Sequence, residues 1–416
     1  MAKKSVRTLT VRGRRVLIRA DLNVPLDAAQ KITDDRRIRE FLPTLRHIVE
    51  QGGRAIVLSH LGRPKGDPAT DRVFSLAPCA ARMQELLGRP VRFVPECVGS
   101  AATTAVAALG DGDVVLLENV RFHKAETVVD SAKKNPDGRL TAEQDAGRAA
   151  FAAALAAHGE AYVNDAFGTC HRRHVSMYDV PALLPRGSRA TGFLVEKELR
   201  YLGEALGNPR RPFVAILGGA KVSDKIGVIN NLLSRVDAIL IGGAMMFTFW
   251  AAQNRGVGRS LCERDKLDTA RALLEKADGR IVLPSDAVAA ASLAAGVETK
   301  LVEGEIPADL MGLDVGPRTL ADFSNRLRGA GTIVWNGPLG AFETSPFDRG
   351  TIEIARAVAD ATSAGATSII GGGDSAAAVE QAGLANRMSH ISTGGGASLE
   401  FLEGRAFGPI EVLDDA

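Results

Sequence analysis

Short apolar, β-branched runs that end in Gly, Asp, Asn or His alternate along the whole chain with longer segments of helical periodicity. In the first half the runs are RRVLIRAD, GRAIVLSH, VRFVPE, DVVLLEN and AYVNDAF. In the second half they are PFVAILGG, DAILIGG, GRIVLPSD, GTIVWNG, TSIIGG and HISTGGG. Continuous apolar runs predict strands buried on both faces, hence parallel sheets covered by helices. Helices are predicted over RRIREFLPTLRHIVEQG, SLAPCAARMQELLG and SDKIGVINNLLSRV. The alanine-rich RAAFAAALAAHG reads as an ordinary helix of high propensity. Residues 127–147, TVVDSAKKNPDGRLTAEQDAG, are polar and turn-rich and predict a surface excursion. No short-period repeat is present.

A chain of 416 residues exceeds one hydrophobic core, so two domains are expected. The boundary is expected near residues 185–210. There PALLPRGSRATG is rich in Pro and Gly, FLVEKELRYLGEALG has helical periodicity, and NPRRP ends it. The predicted fold class is α/β: two similar-sized, Rossmann-like three-layer domains with parallel sheets, joined by a hinge helix. Composition adds little to this. Hydrophobic residues are 45% and charged residues 24%, and the net charge of +2 gives no global basicity for nucleic acid. The start, MAKKSVRTLTVRG, lacks the apolar segment of a secretory signal, and no apolar run is long enough to span a membrane. Cys79, Cys97, Cys170 and Cys262 are scattered without a CxxC pair and read as reduced cytosolic thiols.

Ligands of open α/β sheets bind at the carboxyl ends of strands. In the first half those ends carry Asp21 and Asn23, then His60, Gly62 and Arg63, then Arg121, then His171, Arg172, Arg173 and His174. Arg36, Arg37 and Arg39 open the first predicted helix. Any one of these arginines reads most simply as a surface charge. Together they suit a small, multiply charged anion, because each guanidinium can grip carboxylate or phosphate with two donors. In the second half the strand ends are glycine: Gly218-Gly219, Gly242-Gly243, Gly337, Gly371-Gly372-Gly373 and Gly394-Gly395-Gly396. Close packing and tight turns account for some of them. Glycines before a helix also bare N–H groups to phosphate, and Lys221 and Lys225 lie on one face of a predicted helix start. GGGDSAAA, residues 371–378, combines such a start with an aspartate that could face a metal. No GxxxxGK[ST] loop occurs, and no GxGxxG follows the first strand, which disfavours a nicotinamide-dependent dehydrogenase. The two halves suit phosphoryl transfer from a polyphosphate to a small anion. A non-catalytic scaffold of the same fold would be marked by loss of Arg37, Lys221 or Asp374, and all three are present.

RADLNVPL, SHLGRPKG, LLENVRFH, NDAFGTCHR, AILGGAKVSDKIGVINNLL, GTIVWNGPLGAFE, GGGDS and HISTGGGASLEFLEG, in this order, closely resemble the phosphoglycerate kinase family. The resemblance implies reversible phosphoryl transfer from 1,3-bisphosphoglycerate to ADP, giving 3-phosphoglycerate and ATP, with Mg²⁺ as MgATP or MgADP. It implies a phosphoglycerate-binding domain over 1–185, a connecting hinge helix over 186–207, and a nucleotide-binding domain over 208–397. A tail, 398–416, would return to the first domain. Carried onto matching positions, Asp21 and Asn23 would bind the hydroxyl and carboxylate end of phosphoglycerate. His60, Arg63, Arg121 and Arg172 would bind its phosphate end, and Arg37 would steady the transferring group. Lys221 and Lys225 would contact the transferring and nucleotide phosphates. Gly312 and Glu343 would flank the adenosine, with Glu343 on the ribose. Gly372, Gly373, Asp374 and Ser375 would hold nucleotide phosphates, with Ser375 beginning the helix and Asp374 towards magnesium. Gly395 would offer a backbone N–H, and Gly372, Gly395, Arg37 and Lys221 would be the catalytic set. The resemblance further implies a cytoplasmic monomer of glycolysis that binds neither nucleic acid nor membrane.

Cys170, Arg173, Ala244 and Ser285 depart from the family's usual residues. Cys170 adjoins the arginine site; it reads most simply as an inert packing residue, the alternative being that its oxidation or alkylation weakens phosphoglycerate binding. His47 and His123 read as surface or packing residues, and Trp250 and Trp335 as core.

Overall fold

The computed structural model describes residues 2–135 and 138–416. The chain divides into two compact units: residues up to Leu199 together with Ala406–Ala416, and Arg200–Arg405.

In the first unit the strands are β1 (Arg15–Ala20), β2 (Arg54–Leu58), β3 (Arg92–Val94), β4 (Val114–Leu117), β5 (Ala161–Asp165) and β6 (Arg189–Thr191). They form one sheet in the order β3-β4-β2-β1-β5-β6. Every pair is parallel, with Ile18 opposite both Val57 and Val163. Alternate side chains feed opposite layers, as the pleat requires. Val16, Ile18 and Val57 join the core beneath helix Arg36–Glu50, through Phe41, Leu45 and Ile48. Leu17, Ile56 and Leu58 join the other core with Leu155 of helix Ala142–Ala156. That double coverage is why the strands read as continuous apolar runs.

The second unit holds β7 (Phe213–Leu217), β8 (Ala238–Ile241), β9 (Ile281–Val282), β10 (Asp286–Ala290), β11 (Thr299–Glu303), β12 (Met311–Val315), β13 (Thr332–Asn336), β14 (Thr367–Gly371) and β15 (His390–Ile391). The main sheet runs β15-β14-β13-β7-β8-β9, again all parallel. A second sheet, β11-β10-β12, is antiparallel and was not expected from the sequence. Trp250 and Trp335 are fully buried in this unit, as expected.

Several expectations change. The described part of 127–147 lies at the surface, as expected, but much of it is helical. A 3-10 helix runs over Lys124–Lys134, and helix Ala142–Ala156 begins in a capping box. Thr141 Oγ1 accepts from the Gln144 amide at 3.2 Å, and Gln144 Oε1 accepts from the Thr141 amide at 2.9 Å. Pro136 and Asp137 lie outside the described residues. β6 lies inside the Pro/Gly-rich PALLPRGSRATG. The division between units falls within helix Phe193–Gly207, between Leu199 and Arg200, inside the expected range 185–210. Helix Gly396–Leu402 belongs to the second unit, so the returning segment starts at Ala406 and not at 398. That segment is tied to the first unit by backbone bonds: the Lys4 amide donates to Asp414 O at 2.8 Å. The Arg189 amide donates to Asp414 Oδ2 at 2.8 Å, and Lys3 pairs with Asp415 at 2.8 Å.

Candidate active site

The four strands whose ends carry the unusual polar residues, β4, β2, β1 and β5, are neighbours in the first sheet. Their ends are tied together by short polar links. The Ser59 hydroxyl donates to Ala20 O at 2.7 Å and accepts from the Leu22 amide at 2.9 Å, joining β1 to β2. Asn23 Oδ1 accepts from the Gly62 amide at 2.8 Å. Arg121 Nη1 donates to Gly62 O at 2.9 Å, and its amide donates to Asn119 Oδ1 at 3.0 Å. Buried Asn119 also donates to Leu61 O and Phe74 O, so it fixes the loop that presents Arg121. Asp21 is buried and ion-paired with Arg37 from helix Arg36–Glu50. Arg63 is exposed.

Arg19 and His60 are buried and Arg121 is half-buried, so an anion at these strand ends would offset the arginines' charge. Burial, with Arg19 as the next cause, brings the Arg121 guanidinium down to about 10, and its Nε is buried without a partner. Burial, then Arg19, Arg121 and Arg37, holds His60 well below the usual imidazole range. Arg172 is partly exposed and donates to Asp130 Oδ2 at 3.2 Å, which also meets His174 Nε2 at 3.1 Å. The hydrogen bond from His174, with help from Arg172, holds Asp130 down at about 2. Asp130 and the buried Arg19 are site neighbours that sequence reasoning missed. A lone Asp in a polar stretch and an Arg inside an apolar strand carry no periodic signal.

Cys170 is fully buried. Its Sγ lies 3.4 Å from Ala166 O, and burial pushes its thiol up. A buried neutral thiol is inert, which agrees with the packing reading of Cys170. His123 stacks on Phe151, with ring centroids 4.8 Å apart, as a packing residue.

In the second unit the strand-end glycines separate into two kinds. A Cβ on Gly218 would meet Pro338 O at 2.0 Å, and one on Gly243 would meet the Gly219 amide nitrogen at 2.4 Å. These glycines serve backbone packing. Gly373 and Gly395 face open space, with nothing within 4 Å of a built Cβ. Gly372, at φ +89°, is the N-cap of helix Gly373–Gln381. The helix therefore begins at Gly373 and not at Ser375. Ser375 is fully buried, and its hydroxyl accepts from the Gly337 amide at 2.6 Å, which commits it to holding β13. Asp374 stands exposed in the helix's first turn.

A cavity of about 510 Å³ beside this helix is lined by Gly312, Leu313, Phe342, Glu343 and Asp374, among others. This volume is ordinary for a small-molecule site. Gly312 lies on β12 against Phe247, whose ring a Cβ would meet at 2.1 Å. The cavity thus brings together Gly312, Glu343 and Asp374. Lys221, Lys225, Gly372, Gly373, Ser375 and Gly395 do not line it. Lys221 is exposed. Lys225 is buried, which lowers its ammonium, and it donates to Asn336 Oδ1. Asn336, at the end of β13, was also missed. Its Nδ2 is buried without a partner and would lie 3.1 Å from a Cβ on Gly372.

Among the described residues no cluster of three His, Cys, Asp or Glu side chains forms a metal cage. One exposed carboxylate at a helix start fits a hard cation whose other ligands are phosphate oxygens and water.

Anion-gripping side chains in one unit and a nucleotide-sized cavity in the other are the equipment of a phosphotransferase acting on small molecules. A family model described as phosphoglycerate kinase matches residues 6–405, and the chain belongs to that family. The phosphoglycerate kinase of Prosthecochloris aestuarii is 52% identical over 419 residues, covering 100% of both chains. That of Chlorobium limicola is 51% identical, with the same coverage. The structure of phosphoglycerate kinase from Coxiella burnetii superposes with TM-score 0.84 at 38% identity, covering 99% of this chain and 98% of that one. The Pyrococcus horikoshii enzyme gives 0.80 at 29% identity, again covering 99% and 98%. The activity is accordingly that of an ATP:3-phosphoglycerate 1-phosphotransferase, with the glycolytic role that follows from the family.

Proposed function

We propose that the first unit holds the phosphoglycerate and the second holds MgADP or MgATP. The observation that carries this is the placing of Asp21, Asn23, His60, Arg63, Arg121 and Arg172 at the ends of four adjacent strands. Asp21 and Asn23 take the hydroxyl and carboxylate end, and the cations take the phosphate end. Arg37 leaves Asp21 to steady the transferring group. In the second unit the apolar wall of Gly312, Leu313 and Phe342 takes the adenine, and Glu343 takes the ribose. Lys221, Lys225 and the amides at Gly372, Gly373 and Gly395 take phosphate oxygens. Ser375 supports this cradle from below.

The acceptor is a carboxylate in one direction and a phosphate oxygen in the other. Both are ionised at neutral pH, so no side chain has to remove a proton. The residues instead offset repulsion between anions and hold them in line. Magnesium, held by Asp374, would neutralise phosphate charge when bound. Helix Phe193–Gly207 serves as the hinge between the substrate domains. The protein works as a monomer in the cytoplasm. No described helix is long and apolar enough to cross a membrane.

Arg37→Ala tests the assignment. Turnover is expected to fall about 10²–10³-fold, the usual effect of losing one donor to a developing charge. The nucleotide Kd, measured by calorimetry, should stay within about twofold. Wild-type turnover in this variant would refute the role.

A further inference from the structure

Arg19 is a fully buried cation whose hydrogen bonds are made to fixed partners. Its Nε donates to the Ser176 hydroxyl at 2.8 Å, and Nη1 donates to Ala20 O. Its Nη2 meets His60 Nδ1 at 3.2 Å. Behind it, Ser176 donates its hydroxyl and amide to buried Glu126, at 2.6 and 2.9 Å. The order is Glu126, Ser176, Arg19, His60, from the interior towards the strand ends.

A guanidinium has only donors and keeps its proton at any accessible pH. A ring nitrogen facing it must therefore be the acceptor. The single proton of a neutral imidazole is then left to Nε2. A second proton would have to sit on Nδ1, against the guanidinium. We infer that Arg19 is a positioning residue that locks His60 as the neutral Nε2–H tautomer, so that His60 meets phosphoglycerate as a hydrogen-bond donor and not as a cation. This rests on the reading of His60 as a phosphoglycerate ligand.

The groups that oppose a further proton on His60 are Arg19 on β1, then Arg121 after β4, Arg37 on the first long helix and His174 after β5. The acids nearby are already engaged: Asp21 pairs with Arg37, and Glu126 accepts from Ser176. Burial opposes that proton more strongly still.

The test is nitrogen–proton correlation spectroscopy on the full chain with labelled histidine, the His60 ring being assigned by its loss in His60→Gln. The wild-type ring is expected as Nε2–H, unchanged between pH 5.5 and 8.5, with Nε2 shifting on addition of 3-phosphoglycerate. In Arg19→Met the ring should lose its single tautomer, with Nδ1–H appearing beside Nε2–H. The KM for 3-phosphoglycerate should rise about tenfold or more while the KM for ATP holds. A wild-type ring with its proton on Nδ1, or doubly protonated at pH 7, would overturn the lock, and this observation needs no variant to fold. An Arg19→Met protein with unchanged tautomer and KM would overturn it as well. A locked ring indifferent to saturating 3-phosphoglycerate supports the lock and overturns only the ligand role of His60.

Discussion

Gly312 shows how a single position can belong to two parts of the molecule. It is a wall of the 510 Å³ cavity and also the floor on which the Phe247 ring rests. A methyl group there has no room, and Phe247 is buried. Gly312→Ala should raise the KM for ATP several-fold and destabilise the second unit by about 1–3 kcal/mol, the usual range for overpacking. Steady-state kinetics and urea titration read the two effects separately; unchanged values in both would remove Gly312 from the site. At this scale the sequence was legible for position: Asp21, His60 and Arg121 stand at the ends of adjacent strands, as read. It was not legible for residues that act through others. Arg19 sits in an apolar strand run, and nothing in the run says that its guanidinium is capped by Ser176 and Ala20. Ser375 could be placed near the cradle, but not turned away from it. The Gly337 amide that captures its hydroxyl lies just past the end of β13, 38 residues earlier.

The parallel strands were readable because both faces are covered and every residue of the run is apolar. β10, β11 and β12 were not. β11 has one buried residue in five, so its sequence TKLVE shows neither alternation nor an apolar run. β6 is only three residues long and sits between turn formers. Helix Ala142–Ala156 carried a signal that its polar surroundings hid: Thr141 followed three residues later by Gln144. Thr141→Ala should cost about 1 kcal/mol, and the loss should appear as faster amide exchange in the first turn of that helix. Exchange unchanged there would mean that packing against the 3-10 helix Lys124–Lys134 holds the start without its cap.

Each unit buries one acid with its pKa raised by desolvation. Asp165 is pushed up to about 7; its Oδ1 accepts from the Leu194 and Val195 amides at 2.9 and 3.2 Å. Asp314 is likewise pushed up to about 7, and it accepts from the Gly350 amide at 2.7 Å. A raised carboxyl means that the native state holds a proton which the unfolded chain releases near pH 4. Each group therefore contributes stability at low pH that is lost as pH rises towards 7. His60, buried and neutral, acts in the opposite sense near pH 6.5, so the informative quantity is a difference between variant and wild type. Asp165→Asn keeps the acceptor for both amides. Relative to wild type it should gain up to about 2 kcal/mol between pH 5.5 and 7.5, read from urea midpoints. A difference that does not change with pH would show that Asp165 is ionised throughout.

The segment Ala406–Ala416 packs into the first unit although the whole of Arg200–Arg405 intervenes along the chain. Translation proceeds in one direction, so β6 and the residues around Lys4 wait for their last partners while the second unit is being made. At about 10 residues per second that interval is roughly 20 s. A nascent chain would thus carry a complete second unit and an unlatched first one at the same moment. The order in which the ribosome delivers the parts is not the order in which they become complete.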